Sequence, residues 1–456
     1  MRVLLVQPPV SGITFKNRIV EPLALEILAA TIIKKHEVEI LDLRIENVFT
    51  SYIKKFKPDI ICYTCYICQV DHVRKLAEAA KKWNPNVINV VGGEQPTHVP
   101  EDFNFPEIDY MSLGDGEHGF PQLIHCITQK GDIKEVVGGV KVKNGQLIFG
   151  KEREVVCNLD DSPIPARELT KKYRSCYKFL GWKNVASVAT SRGCKNRCDF
   201  CSIWKIRKGI IAQFSIERVI QELKMVEQKN IYLCEAHSFQ DIPFMEKLHD
   251  EIVRNKIEKK YMAYVRVNSV IHNEELFKKW YDIGLRRVFI GFEAVDNEKL
   301  NKMKKATNCS WNRKAIEILH SIGIEIVASF IINLDFEQRD FDVLADWVIK
   351  NQLTMPVFNI LTPLPGHELY HDNKEELDNY PYSYFDFNHA LMETKLPKKE
   401  FYQQIAELYR KTYSSEISKE LQEKLGYDSV RMENRKKVGQ ILALNMEMII
   451  KQEKLN

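Results

Sequence analysis

Short apolar and β-branched runs alternate with stretches of helical periodicity over the first 113 residues. The runs that predict strands are residues 2–7, 38–43, 59–64, 87–91 and 108–113. In the first intervening stretch, Leu25, Leu28 and Ile32 recur three or four positions apart behind Pro22, which predicts an amphipathic helix. Strands that alternate with helices predict an α/β fold with a doubly wound parallel sheet, which binds ligands at the carboxyl ends of its strands.

The same alternation resumes after residue 184. The apolar runs are residues 185–189, 231–234, 262–267, 287–291, 325–332 and 357–361. Ser215 is placed to cap a helix whose apolar face includes Ile216, Val219 and Leu223. Six such units predict a partial (β/α)6 barrel, with functional residues at the carboxyl ends of its strands.

The segments around these two patterns differ in character. Asn144-Gly145 separates two short apolar runs and predicts a β-hairpin, and prolines and charges continue to about residue 172. We predict a first domain at 1–135, a hairpin and linker at 136–180, a barrel at 181–375 and a helical C-terminal domain at 376–456. The apolar last helix, 438–450, could pack on the barrel or contact a membrane, and packing is the commoner outcome.

Composition adds three constraints. The 456 residues are 45% hydrophobic and 28% charged, and the net charge of +4 is too small to predict nucleic-acid binding. The start of the chain shows neither a signal peptide nor a spanning helix, so we expect a cytoplasmic protein without a transmembrane segment. Its eleven cysteines are expected to be reduced thiols and metal ligands.

The most informative motif is Cys194-x-x-x-Cys198-x-Phe200-Cys201. Three thiolates at this spacing can bind three irons of a cubane cluster, whereas a structural zinc site needs a fourth ligand, and no further Cys or His lies nearby at zinc spacing. The motif resembles that of the radical SAM enzymes. The resemblance implies a [4Fe-4S] cluster whose open iron binds S-adenosylmethionine (SAM), with Phe200 packed against the purine.

The same resemblance assigns polar residues at the ends of the barrel strands to SAM. They are Glu235, Arg266, Glu293 and Thr362. Arg266 would pair with the SAM carboxylate, and Glu293 belongs to a Gly-Phe-Glu element that matches the family. Glu235 stands in Leu-Cys-Glu, where the family commonly has Gly-Gly-Glu, and Thr362 opens a turn similar to the family's Pro-x-Pro-Gly. Each charged residue could instead form a structural salt bridge.

Loops at the ends of the N-terminal strands carry further candidates, because paired glycines let a backbone approach a ligand closely. The loops resemble the cobalamin-binding domain that precedes the catalytic domain in one class of radical SAM enzymes. The residues implied to contact cobalamin are Gln7, Thr64, Gly92, Gly93, Glu94, Gly114, Asp115, Gly116 and Glu117. The chain has no Asp-x-His-x-x-Gly, so no histidine is offered as a lower ligand to cobalt. A scaffold that has lost its cobalamin is the alternative.

Two features have no assigned role. Cys62, Cys65 and Cys68 form a second three-cysteine pattern, for which we favour packing thiols over a metal site because Cys62 lies on a predicted buried strand. His389 is either a structural histidine or a site residue.

Similarity extends into the C-terminal segment. Phe387-Asn-His389-Ala-Leu, Thr394-Lys-Leu-Pro and Cys201-Ser-Ile-Trp204 resemble the hopanoid C-3 methylases and their relatives. This resemblance implies a cobalamin-dependent radical SAM methyltransferase acting on an unactivated carbon of a small molecule or lipid. A 5'-deoxyadenosyl radical would abstract a hydrogen atom, and the carbon radical would take the methyl group of methylcobalamin. An external donor such as flavodoxin or ferredoxin would supply the electron.

Two alternatives stay open. Relatives with this architecture form rings or rearrange carbon skeletons without methyl transfer, and a cobalamin and cluster sensor would bind its cofactors without turnover. The substrate could be a hopanoid or isoprenoid lipid, an antibiotic or a peptide precursor, and a lipid substrate would suit peripheral membrane contact.

Overall fold

A computed structural model describes residues 1–10 and 19–455 of the chain. The chain divides into two compact units. The first unit comprises Met1–Gly193, Ser202–Glu222 and Leu364–Asp386, and the second comprises Cys194–Cys201, Leu223–Pro363 and Phe387–Asn456. The domain limits given above remain predictions. Among the described residues, no helix combines the length and the apolar character needed to cross a membrane.

Strands and helices alternate along most of the chain. The strands are β1 (Arg2–Gln7), β2 (Glu37–Asp42), β3 (Ile60–Thr64), β4 (Ile88–Gly92), β5 (Tyr110–Ser112), β6 (Gly139–Lys143), β7 (Gln146–Phe149), β8 (Lys178–Phe179), β9 (Trp182–Lys183), β10 (Val185–Val188), β11 (Ser191–Arg192), β12 (Ala212–Gln213), β13 (Asn230–Leu233), β14 (Lys260–Val265), β15 (Leu285–Glu293), β16 (Glu325–Ile332) and β17 (Met355–Ile360). The helices are α1 (Leu23–Ile32), α2 (Phe49–Phe56), α3 (Val70–Trp83), α4 (Glu94–His98), α5 (Gly116–Gln129), α6 (Ile203–Ile206), α7 (Ile216–Met225), α8 (Ile242–Arg254), α9 (Val267–His272), α10 (Glu274–Asp282), α11 (Asn297–Lys302), α12 (Cys309–Ile322), α13 (Gln338–Lys350), α14 (Glu368–Asp372), α15 (Lys374–Leu377), α16 (Lys398–Ser414), α17 (Lys419–Leu425) and α18 (Ser429–Gln452). Short 3-10 segments are Ile67–Gln69, Pro100–Phe103, Ile133–Glu135, Leu159–Asp161, Arg167–Cys176 and Tyr382–Tyr384.

The first unit is built on a sheet in the order β2-β1-β3-β4-β5, in which every neighbouring pair is parallel. These are the five predicted strands, with ends displaced by at most two residues. Alternate residues of β1 enter two different cores, with Leu4 on one face and Leu5 on the other, so the sheet is buried on both faces. The predicted hairpin, β6 and β7, extends one edge; Asn144 and Gly145 take φ values of 50° and 73°, as a type I′ turn requires.

The second unit contains a parallel sheet in the order β13-β14-β15-β16-β17. These are the last five of the six predicted barrel strands, and the first forms as β10 within the first unit. The Phe330 ring on β16 lies 5.9 Å from that of Phe292 on β15 and 5.7 Å from that of Trp347 on α13. This aromatic layer holds α13 against β16 and against β15, whose end carries the candidate site residue Glu293.

The C-terminal helices α16 and α18 pack on one another. α18 begins nine residues before the predicted position 438, because the Asp428 side chain accepts a hydrogen bond from the backbone N–H of Arg431 and caps the helix. A Cβ at Gly439 would lie 2.3 Å from Cβ of Tyr413, so only glycine permits this approach. The large exposed apolar side chains of α18 are Val430, Val438, Ile441, Leu444 and Met448.

A charge cluster is buried in the first unit. The Arg167 guanidinium contacts Glu21 and lies 2.5 Å from Glu222 and 3.7 Å from Glu26. Burial, and then the neighbouring Glu21, raise the pKa of Glu26 to about 8, so this carboxyl is protonated at neutral pH. Because Glu26 is neutral, the single positive charge of Arg167 does not have to balance three buried negative charges.

Candidate active site

A short antiparallel ladder closes the loop that carries the three cysteines. β11 pairs with β12, so the chain returns to its starting point after the loop. Gly193, at the entrance, has a φ of 89°, and a Cβ there would lie 2.4 Å from the carbonyl oxygen of Ile210. The packing of the loop therefore requires glycine directly before the first cysteine.

The three cysteines lie on one eight-residue segment of the second unit. Cys198 is buried, whereas Cys194 and Cys201 are partly exposed. Nδ2 of Asn196 lies 3.5 Å from Cys194 Sγ, and Nη1 of Arg266 lies 3.4 Å from Cys198 Sγ. Within the described ranges, no three His, Cys, Asp or Glu residues gather around a single ion position. A cubane takes one thiolate per iron, so its three ligands need not surround a single ion position.

A connected polar group lies next to these cysteines. Arg266 follows β14, and Glu293 ends β15. Lys305 joins them, since its Nζ lies 2.5 Å from Glu293 Oε1 and its carbonyl oxygen accepts a hydrogen bond from Arg266. Lys305 Nζ also lies 5.5 Å from the centre of the Phe200 ring. The structure thus brings together three residues predicted for SAM, namely Arg266, Glu293 and Phe200.

Glu293 stands in an unusual backbone conformation. Its φ is 65°, and the pairing of β15 with β16 shifts register between Gly291 and Glu293. A Cβ on Gly291 would lie 2.0 Å from Glu293 Oε1, so glycine leaves room for the carboxylate to fold back over the strand. Left-handed backbone at a residue other than glycine is costly and is concentrated at functional sites.

The other two residues predicted to bind SAM, Glu235 and Thr362, are both buried near strand ends. Glu235 is buried, two residues beyond the end of β13. The Thr362 hydroxyl is also buried and donates to the carbonyl oxygen of Ile360. The roles of both in SAM binding remain predictions.

Sequence reasoning missed two residues of this region. Lys305 follows α11, away from any strand end, and no pattern marks it. His237, four residues beyond β13, could have been found from its nearness to a strand end. His237 Nε2 lies 2.7 Å from Ser269 Oγ. Burial, and then Arg266 and nearby lysines, lower the pKa of His237 to about 3, so its ring is neutral.

In the first unit, the loops predicted for cobalamin follow the carboxyl ends of β1, β3, β4 and β5. The strand order reverses between β1 and β3, and Gln7 and Thr64 end these two strands. Ligands of doubly wound sheets bind at such a switch point. Nε2 of Gln69 donates to the carbonyl oxygens of Pro8 and Pro9 at 3.0 and 3.2 Å, which joins the two loops.

Thr97 joins the two glycine loops, which are residues 92–97 after β4 and 113–117 after β5. Its hydroxyl donates to the carbonyl oxygen of Gly93 at 2.6 Å and accepts from the N–H of Gly114 at 2.9 Å. Gly93 has a φ of 108°, and a Cβ there would lie 2.9 Å from the backbone nitrogen of Cys65. The packing of the loops themselves therefore requires glycine, in addition to any ligand contact.

Two buried imidazole nitrogens near these loops have no hydrogen-bond partner among the described residues. They are Nε2 of His98, which ends α4, and Nε2 of His367. Gly366 directly precedes His367, and a Cβ there would lie 2.8 Å from the His98 ring. The backbone at Gly366 therefore packs closely on His98. Burial, and then nearby cationic and histidine side chains, lower the pKa of both histidines to about 4. Neutral, unpartnered groups beside the glycine loops fit a ligand with many hydrogen-bonding groups, as cobalamin has.

The acidic residues of the glycine loops contact residues that flank the cysteine loop. The pairs are Glu94 with Ser202, Asp115 with Arg207, and Glu117 with Arg192. These side chains were predicted to contact cobalamin, and that role remains untested.

The second three-cysteine pattern is fully buried. Burial raises the pKa of Cys62, Cys65 and Cys68, that of Cys68 to about 12. Cys62 packs in one of the two cores of the sheet and Cys65 in the other, which agrees with a packing role. His389 is buried in the second unit.

Comparison with known families gives the class of the protein. The B12 binding domain matches residues 15–124, and the Radical SAM superfamily matches residues 188–348. Together with the two parallel sheets and the cysteine loop, these matches define a cobalamin-dependent radical SAM enzyme.

Individual relatives narrow the family. The hopanoid C-3 methylase of Methylococcus capsulatus is 31% identical over 87% of this chain and 77% of its own length. The anaerobic magnesium-protoporphyrin IX monomethyl ester cyclase of Cereibacter sphaeroides is 25% identical over 79% of this chain and 61% of its own length. The structure of the radical SAM methyltransferase TsrM from Kitasatospora setae, with cobalamin and a [4Fe-4S] cluster bound, shares the fold; its TM-score is 0.65 at 17% identity, over 82% of this chain and 75% of that one. The chain belongs to the cobalamin-dependent radical SAM methyltransferases, whose cofactors are a [4Fe-4S] cluster, SAM and cobalamin.

Proposed function

We propose that this protein transfers a methyl group from SAM, by way of cobalamin, to an unactivated carbon of a small molecule or lipid. The observation that carries this proposal is the contact of Arg266 with Cys198, within a group that also contains Glu293 and Lys305. When bound, the cluster and SAM supply the hydrogen-abstracting radical, and cobalamin supplies the methyl carrier. Cys194, Cys198 and Cys201 would each hold one iron.

The charges at the strand ends suit the amino acid part of SAM, which carries one carboxylate and one ammonium group. We assign the carboxylate to Arg266, because a guanidinium offers two parallel donors. Glu293, balanced by Lys305, and the buried Glu235 are the acceptors for the ammonium group or the ribose. Phe200 offers its ring to the adenine. Thr362 is a further SAM candidate.

We assign cobalamin to the loops of the first unit. Gln7 and Thr64 stand at the switch point of the sheet, and His98 and His367 offer unpartnered nitrogens near the glycine loops. The residues assigned through their loops are Gly92, Gly93, Glu94, Gly114, Asp115, Gly116 and Glu117. No Asp-x-His-x-x-Gly is present in the sequence, so we propose that no histidine binds the cobalt from below.

The substrate class follows from similarity alone. Because a hopanoid C-3 methylase matches over most of the chain, we propose a polycyclic or isoprenoid lipid as substrate, with an antibiotic or peptide precursor as the alternative. Contact with a membrane surface would give access to such a lipid. A flavodoxin or ferredoxin is the proposed electron donor, and a cytoplasmic location suits an oxygen-labile cluster.

Turnover with methyl-labelled SAM tests the reaction. Anaerobically reconstituted protein receives cobalamin, reductant and a panel of polycyclic lipids, and we expect label in the product together with 5'-deoxyadenosine. Product without label would establish ring formation or rearrangement in place of methylation. Bound cluster and SAM without any 5'-deoxyadenosine would establish a sensor.

Cysteine variants test the cluster. Cys194→Ala, Cys198→Ala and Cys201→Ala are each expected to lose the four-iron absorption and EPR signals and all formation of 5'-deoxyadenosine. Cys157→Ala is the matched control, because that thiol is exposed and lies outside the loop. A four-iron cluster that survives each of the three replacements would contradict the assignment.

A further inference from the structure

The residues that flank the three cysteines on either side belong to the first unit and contact its glycine loops. Before the first cysteine, the guanidinium of Arg192 pairs with the carboxylate of Glu117, the second residue of α5. After the third cysteine, the hydroxyl of Ser202 donates to Glu94 Oε1 at 2.9 Å. One carboxylate therefore holds the chain on each side of the three cysteines.

These attachments are shielded from water. The side chain of Glu117 is 5% exposed and that of Arg192 is 22% exposed, and Ser202 is buried. An ion pair or a hydrogen bond in such surroundings is screened little by solvent, and loss of one partner leaves a buried polar group without its contact. The contacts therefore restrain the backbone beside the cysteines more than surface contacts would.

The two glycine loops are also joined to each other. The Thr97 hydroxyl hydrogen-bonds the carbonyl oxygen of Gly93 and the N–H of Gly114, which belong to different loops. A third contact comes from Arg207, whose Nη1 lies 2.5 Å from Asp115 Oδ2. Displacement of either glycine loop would therefore be transmitted to both ends of the cysteine loop.

We propose that Glu94 and Glu117 are positioning residues that hold the cysteine loop through Ser202 and Arg192, and that they couple cobalamin binding to SAM binding. This inference rests on the proposed function, because it takes the glycine loops as part of the cobalamin site. A ligand that fixes the glycine loops in one conformation also restrains the backbone of the cysteine loop, which would bear the cluster. By linkage, each cofactor then strengthens the binding of the other by the same factor.

Binding of radiolabelled SAM to the cluster-loaded protein, with and without hydroxocobalamin, measures the coupling. We expect hydroxocobalamin to tighten SAM binding by about tenfold in the wild type, within the usual range for coupled sites. Glu117→Gln and Glu94→Ala should each reduce that factor to less than about twofold when hydroxocobalamin is added to saturation for each variant, while the iron content stays at the wild-type level. Glu101→Gln, an exposed carboxylate close to α4, is the matched control and should keep the full factor.

A paired exchange separates positioning from a general loss of structure. Glu117→Arg combined with Arg192→Glu restores the ion pair in reverse order, and we expect it to recover a factor of at least about fivefold. Single variants that keep the wild-type factor overturn the inference, as does a wild type that binds both ligands independently. A wild type that binds no hydroxocobalamin contradicts the proposed cobalamin site itself and removes the basis of the inference.

Discussion

Replacement of Gly291 by alanine tests the charged group at the end of β15. The new Cβ would lie 2.0 Å from Glu293 Oε1 and 2.9 Å from Lys305 Nζ, and real Cβ contacts are essentially never shorter than 3.0 Å. The Glu293 carboxylate and the Lys305 ammonium group must therefore both shift, and both are the ends of flexible side chains. The two side chains are 8% and 9% exposed, so the change displaces a buried ion pair. Removing one partner from such a pair costs about 3–5 kcal/mol, and a displaced pair that keeps both partners should lose only part of this, about 1–2 kcal/mol.

Urea unfolding under anaerobic conditions measures the loss of stability. Gly131→Ala is the control, because a Cβ there would meet its nearest atoms at an ordinary distance of 3.6 Å. We expect Gly291→Ala to lower the free energy of unfolding by about 1–2 kcal/mol and Gly131→Ala by less than about 0.5 kcal/mol. SAM affinity should fall by about tenfold or more in Gly291→Ala alone, because a misplaced acceptor loses about 1.4 kcal/mol of binding free energy or more. A Gly291→Ala variant as stable as the control, with full SAM affinity, would refute the reasoning.

Three further changes have separate readouts. The pKa of Glu26 rises from 4.5 to about 8 on folding, so its stabilising effect is complete below pH 4.5 and is lost as the pH rises through 8. Between pH 6 and 8 the wild type should lose about 2–3 kcal/mol of unfolding free energy from this group, and Glu26→Gln should lack that loss; parallel pH profiles would contradict it. Arg266→Lys should retain its cluster iron but bind SAM about tenfold more weakly, because a point charge replaces a forked donor; wild-type affinity by ultrafiltration would argue against the carboxylate assignment. Ser215→Ala should cost about 1 kcal/mol in urea unfolding, because the Ser215 hydroxyl accepts from the N–H of Arg218 and caps α7; an unchanged midpoint would exclude that cap.

Strand positions were accessible from the sequence where burial is continuous. β16 is predicted and observed at Glu325–Ile332, and all eight of its residues are buried. β14 begins two residues before the predicted position, because Lys260 is exposed although it pairs with β13, and a lysine interrupts the apolar run that marks a strand. The first third of α18 was missed for the same reason, since residues 431–437 are mostly polar or charged.

The glycines of the two units show a different limit. The sequence indicates that glycines at strand ends have a special role, and ligand approach is the natural interpretation. In the structure, Gly93 makes room for the backbone at Cys65, and Gly291 makes room for a carboxylate two residues further along. Which neighbouring group leaves no space for a Cβ depends on how the loops pack, and no local sequence pattern indicates that packing.

The chain by itself determined the α/β class, the positions of most of its strands along the sequence and the loop of three cysteines, because periodic burial and ligand spacing are properties of nearby residues. Only the tertiary structure decided which charges meet. Glu117 lies far along the chain from Arg192, and nothing near Glu293 in the sequence points to Lys305. Ion pairs and hydrogen bonds act over a few ångströms, so their partners are set by sheet register and by the packing of loops from distant segments.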